Sequence, residues 1–402
     1  MPRLPFRAFI PTLALVLFVF GGCITDPQMP ETVAYVPAPR LHPVNDSLSA
    51  PIDTMSHGGP ADTLVAPPHG VPGGIEHPGK RAPEPPDTMQ APPPPPPPPP
   101  AGDVELGLLS DLTSLGTLYS PADNWWNLEV DNAPVDAESD SIIATIQSYD
   151  DTQGRMHPDF TPDYGIPYCV VGDETPRVNV EMRNSGESDK SDPDGISGYP
   201  IPAAAITDGR YLENGAGSSG DRHLLIYDRD RRMVFELSYA EYVDGKWTAG
   251  YGAIFKVDSN YRRPDGWTST DAAGLCVLAG LVRYDEVYGV GPIRHAIRVS
   301  LKRTNGYVWP ASHEGASDEN APPLGMRLRL KASTDISGFS PEMQKIFQAM
   351  KTYGLIVADR GGNMYVQGTM DSRWDNDVIN PAFHHLGASD FEVIQLGWKP
   401  TS

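Results

Sequence analysis

The sequence predicts a mainly β fold: a β-sandwich or jelly-roll-like body with one or two packed α-helices. Three observations carry the expectation. Apolar and polar residues alternate with period two in several runs, turn pairs separate those runs, and helical periodicity is confined to two places. Residues 178–182 and 223–228 read as the first strands. In 233–239, Met233, Phe235, Leu237 and Tyr239 share one face. In 293–301, Ile293, His295, Ile297, Val299 and Leu301 share a face, with Arg294 and Arg298 on the other. In 326–331 the basic residues Arg327, Arg329 and Lys331 lie together on one side. Residues 355–358, 364–368 and 391–395 complete the set. Asp194-Gly195, Asp244-Gly245, Asn305-Gly306 and Gly361-Gly362-Asn363 mark turns. The clearest helix begins at Ser340, a good N-cap, with Pro341 in its first turn and Met343, Ile346, Phe347, Met350 and Tyr353 at helical spacing before Gly354. A weaker helix covers 139–149. No fixed-period repeat supports a propeller or solenoid.

The chain has 402 residues, but 23 of its 43 prolines fall between Pro27 and Gly102, where Tyr35 is the only aromatic. Such a segment buries too little apolar surface to offset the entropy of ordering it. The expected organisation is therefore a signal peptide at 1–22, a Pro-rich disordered tether at 23–102 and a single β-rich domain at 103–402. Arg3 and Arg7 precede an apolar run, 8–20, that is short for a membrane span and suited to a signal-peptide core. The run ends in Phe20-Gly21-Gly22-Cys23, which resembles the lipobox of bacterial lipoproteins, with Phe20 where leucine is usual. That resemblance implies lipidation of Cys23 and a cell-envelope location, with outer membrane or cell surface favoured by Ile24 after the cysteine. The nine prolines 92–100 would form a polyproline II rod of roughly 28 Å, a spacer between anchor and domain.

Net charge is −21 for the chain, and residues 103–402, with 26 basic and 44 acidic residues, keep −18 of it. A surface that acidic disfavours nucleic acid and direct docking on anionic lipid, leaving the lipid on Cys23 as the membrane contact. Cys169 and Cys276 form an even pair in an oxidising compartment, open to a disulfide or to two separately buried thiols. No Cys-x-x-Cys, Gly-x-Ser-x-Gly, P-loop, His-Glu-x-x-His or dinucleotide glycine pattern occurs, and no cofactor or metal is implied.

The chemistry-bearing residues gather in a central block: Asp221-Arg222-His223, then 261–274 (Tyr-Arg-Arg-Pro-Asp-Gly-Trp-Thr-Ser-Thr-Asp-Ala-Ala-Gly), 280–287 (Gly-Leu-Val-Arg-Tyr-Asp-Glu-Val), Arg294-His295-Ala296 and 307–313 (Tyr-Val-Trp-Pro-Ala-Ser-His). These ordered pieces resemble a family of exported bacterial proteins with no firmly assigned activity, over 119–396. The resemblance implies one evolutionary unit and leaves function to the residues.

A glycosidase needs one protonated and one ionised carboxyl across a sugar that stacks on aromatic faces. Candidate acid–base residues are Asp265, Asp271, Asp285, Glu286 and His313. Candidate substrate contacts are Tyr261, Trp267, Arg283, Tyr284 and Trp309. Each has a plainer role open to it: Asp265-Gly266 suits a turn, Asp271 a cap, and His223 and His295 a satisfied core position. Of the adjacent Trp125 and Trp126, one is expected in the core and the other along a groove. The leading expectation is a lipid-anchored, extracytoplasmic enzyme hydrolysing an envelope polysaccharide. A polysaccharide lyase, a non-catalytic polysaccharide- or protein-binding module, and a metal-dependent hydrolase using His223, His295 or His313 are the alternatives.

Overall fold

The computed structural model describes residues 117–160, 164–215 and 217–400, all within one compact unit, Pro93–Ser402. The expected signal peptide, Cys23 and the expected tether lie outside the described residues. In chain order the elements are α1 (Ser139–Gln147), β1 (His157–Asp159), β2 (Tyr168–Val171), β3 (Val180–Met182), β4 (Leu224–Asp228), β5 (Met233–Ser238), β6 (Glu241–Val243), β7 (Lys246–Ala249) and β8 (Tyr251–Lys256). Two short helices follow, α2 (Val277–Gly280) and α3 (Tyr284–Tyr288). After them come β9 (Ile297–Leu301), β10 (Arg327–Leu330), α4 (Pro341–Thr352), β11 (Leu355–Arg360), β12 (Tyr365–Gln367), α5 (Asn376–His384) and β13 (Phe391–Val393).

The strands form three sheets, so the body is mainly β and sandwich-like, with few helices. A six-stranded sheet runs β1-β12-β9-β11-β10-β13, a four-stranded one β2-β4-β5-β8, and a three-stranded one β3-β7-β6. The four-stranded sheet is buried on both faces. Leu224, Ile226, Phe235 and Ile254 join a core with Trp247 and Ala249 of the three-stranded sheet. Leu225, Tyr227, Val234 and Phe255, on the alternate positions, join the main core with the six-stranded sheet. The helices contribute Ile146, Phe347 and Phe383 to that main core. Helix α4 starts as its sequence predicts, the Ser340 hydroxyl accepting from the Met343 amide with Pro341 next to it.

One expectation is corrected, one open alternative is decided, and two features of the fold go beyond what the sequence predicts. Trp125 and Trp126 are both buried, so neither lines a groove. Cys169 and Cys276 are separate buried thiols, and they belong to the two different cores. Helix α5 runs through Pro381, a residue that reads as a helix breaker in sequence. Finally, the basic faces of β9 and β10 are covered. Arg298, Arg327 and Arg329 are all buried; over Arg327 and Arg329 lie residues 125–133, which join no ladder and need donors for their carbonyls. Arg327 donates to the carbonyls of Trp125 and Leu128, and Arg329 to those of Val130, Asp131 and Ala133.

The ladder registers align these side chains. Asp159 is paired with Gln367, and Ile356 with both Arg298 and Arg327. Continuing the β12–β9 register from Val366 opposite Val299 sets Gln367 beside Arg298. Asp159, Gln367, Arg298, Ile356 and Arg327 therefore form one cross-strand row on one face of the six-stranded sheet.

Candidate functional site

Arg298 is the centre of a polar cluster at the middle of this row. Its Nη1 donates to Gln367 Oε1 at 2.8 Å, and its Nη2 lies 3.3 Å from Asp359 Oδ2 and 3.6 Å from Asp271 Oδ2. The bulge in β11 between Val357 and Asp359 brings Asp359 opposite Ser300, onto the face that carries Arg298. Asp271 comes from a tight turn held by its own carboxylate. Oδ1 accepts from the Ala273 and Leu275 amides, each at 3.0 Å, which leaves Oδ2 for the arginine. Gly280 closes the cluster from α2: a Cβ there would lie 2.8 Å from Arg298 Cβ and 2.7 Å from the Trp126 ring. Only glycine allows that approach.

The second charged pair is His223 with Glu213. The imidazole Nδ1 is 2.6 Å from Glu213 Oε2 and Nε2 is 2.8 Å from the Thr270 carbonyl, so both ring nitrogens face acceptors and the ring is an imidazolium. Burial alone would lower its pKa; the Glu213 charge and hydrogen bond outweigh that and raise it to about 10. Conversely, burial pushes Glu213 upward, but His223 holds it below the ordinary carboxylate range, with help from Arg298. Thr270 is the neighbour of Asp271, and its hydroxyl donates to the fully buried Glu236, which also accepts from the Val277 and Leu278 amides at the start of α2.

The remaining carboxyls are pushed the other way. Burial raises Asp159 to about 7, the Glu213 charge adds to the rise, and Arg298 opposes it. Burial likewise raises Asp271 to about 7 and raises Asp359, again against Arg298. Asp159 and Glu213 are both mostly buried, with 14% of the Glu213 side chain exposed. The cluster thus holds a carboxyl that keeps its proton near neutrality and a carboxylate kept ionised, in one electrostatic neighbourhood. That division of labour is what acid–base catalysis requires.

Two strained residues border the cluster. Arg222 and Tyr239 have φ of +44° and +52°, a region that a bulky side chain rarely adopts. They hold one another: the Tyr239 amide donates to the Asp221 carbonyl and the Ala240 amide to that of Arg222. Tyr239 carries the Arg183 guanidinium 5.7 Å above its ring, and Gly250 lies under that ring, where a Cβ would be 2.6 Å from Cδ2. Tyr239 is a half-buried aromatic beside Asp221 and Asp359, and the half-buried Tyr251 is its neighbour.

The residues singled out from sequence go to different arginines. Asp265 is exposed in a turn at Gly266, paired with Arg262 and accepting from Tyr307 at 3.2 Å; the Arg262 hydrogen bond keeps its pKa low. Asp271 goes to Arg298. Asp285 and Glu286 go to Arg283, at 3.8 and 2.7 Å, and Glu286 also lies 3.0 Å from His295 Nε2. Burial raises Asp285 to about 6, while Arg283, then His295, keep Glu286 low against the effect of burial. Tyr284 stacks on Tyr288 at 4.4 Å under Arg373. Trp267 lies under Arg263 at 5.4 Å, Tyr261 is exposed, and Trp309 packs edge-on against Trp125 at 6.3 Å. His313 Nδ1 is 2.9 Å from the Ala272 carbonyl, one residue from Asp271. Among the described residues no three His, Cys, Asp or Glu side chains converge as a metal site.

Sequence reading missed Asp159, Glu213, Asp359 and Gln367. Comparison with protein-family models, curated proteins and solved structures finds no match to the chain.

Proposed function

We propose that the chain is an extracytoplasmic lipoprotein, anchored through Cys23 and held off the membrane by its proline tether, whose C-terminal domain hydrolyses glycosidic bonds of an envelope polysaccharide. In this reading Asp159 is the general acid and Glu213 the base or nucleophile. Arg298 and Gln367 position Asp159, and His223 holds Glu213 ionised. Tyr251, half-buried and next to Tyr239, offers the sugar a stacking face. The observation that carries the proposal is the placement of Asp159 in the Arg298 row and of Glu213 against His223, where burial raises the first carboxyl and His223 holds the second low. The charge of −21 favours a neutral glycan over a polyanion.

The test is incubation of the full chain with neutral and acidic polysaccharides, following reducing ends and the absorbance of unsaturated products. Reducing ends without absorbance support hydrolysis. Absorbance at an acidic polymer would point to elimination instead, and retention on a glycan with no product would leave a binding module.

A further inference from the structure

Five arginines are buried among the described residues, and four of them have a carboxylate partner. Arg263 has Asp189, Arg283 has Glu286, Arg298 has Asp359 and Arg329 has Glu392. Arg327, only 8% exposed, has no carboxylate within ion-pair distance among the described residues; its partners are the carbonyls of Trp125 and Leu128. A buried cation satisfied by neutral acceptors alone keeps a net charge in a low-dielectric setting, which is costly. Burial accordingly lowers the Arg327 pKa to about 9, with no anionic neighbour to offset it.

This arginine also lines a cavity. The space measures about 10 Å³, room for one water-sized guest, and is walled by Trp309, Gly325, Arg327, Ile394, Gln395 and Trp398. Lys399 lies 5.0 Å over the Trp309 ring at the same place, so a second cation stands beside the wall. On a strongly acidic protein, two cations and two indoles around a small hollow make a local exception to the repulsion of anions.

We propose that the cavity binds one small anionic acceptor, a halide ion or one oxygen of a sugar carboxylate, against Arg327 between Trp309 and Trp398. The guest supplies the counter-charge that the fold gives each of the other four arginines. The inference is independent of the hydrolytic reading, because no residue of the cavity belongs to the Asp159–Glu213 pair.

The experiment uses the full-length protein. Sodium bromide and sodium glucuronate are titrated in separate melting series, with wild type and Arg327→Met side by side, and wild-type crystals are soaked in bromide. At tenfold excess over its dissociation constant a bound anion raises the melting temperature by roughly 3 °C. The expected result is a saturable rise of that size in wild type and none in the variant. An anomalous bromide peak beside the guanidinium assigns the halide; a glucuronate rise without that peak assigns the carboxylate. The soaked crystal decides the halide arm if Arg327→Met does not fold. No saturable rise with either salt and no bromide peak would overturn the proposal.

Discussion

Arg298 and Arg327 stand in the same cross-strand row, separated only by Ile356, and both are buried, yet their surroundings divide sharply. Around Arg298 the fold collects carboxyl groups from β1, β11 and the 269–275 turn, more than one guanidinium neutralises, and the surplus appears as raised carboxyl pKa values. Around Arg327 it collects backbone carbonyls of a segment that joins no ladder. One arginine is embedded in groups that exchange protons near neutrality, and the other fastens the chain across the sheet. Burial and residue type are shared, so the difference in role comes from the partners alone.

The comparison breaks most visibly by substitution. Arg298→Met strands Asp359 and the fully buried Asp271 without a counter-charge, and is expected to cost about 3–5 kcal/mol in denaturant melts. Arg327→Met leaves two carbonyls short of donors but strands no carboxylate in the cluster, and should cost about 1–3 kcal/mol. Equal losses would remove the distinction between the two arginines.

The titrating groups sharpen it. Asp159 and Asp271 have folded pKa values raised to about 7, so the folded state holds protons that the unfolded chain releases above about 4. Stability from this source declines between pH 4 and 7. His223, raised to about 10, adds stability that is complete below pH 6.5 and is lost as pH rises through 10. Melting temperature should therefore fall in two stages from pH 5 to 10. Asp271→Asn should flatten the first stage and His223→Gln the second; a flat wild-type profile would contradict both assignments. The smallest effect is expected at Asp265, an exposed turn residue paired with Arg262, where Asp265→Asn should change neither melting nor rate measurably.

Much of this architecture was legible in the residues. The alternation in 293–301 placed Arg298 opposite Ile297 and Val299, and the 326–331 run put Arg327 and Arg329 on one face. Burial of the Arg327 and Arg329 face was not legible, because it depends on residues 125–133 lying across the sheet, a contact between segments about 200 positions apart. Asp271 and His223 were recognisable as polar residues in a dense block. Asp159, Glu213 and Asp359 carry no local signature: Asp159 ends a three-residue strand, Glu213 follows a 3₁₀ turn, and Asp359 sits just past a bulge. Only the ladder register and the His223 bridge bring them together. The carboxylates of the 261–287 block look convergent in sequence, but Asp265, Asp285 and Glu286 go to arginines within their own turns and only Asp271 reaches across to Arg298.

The pH dependence of kcat/KM on the polysaccharide that yields reducing ends, compared among wild type, Asp159→Asn and Glu213→Gln, tests the central claim most directly. The wild-type rate should fall above about pH 7 as Asp159 loses its proton, and each variant should be slower by about 10²–10⁴-fold, with the alkaline limb absent in Asp159→Asn. Variants within about twofold of wild type, with the same profile, would contradict the assignment of acid and base to this pair.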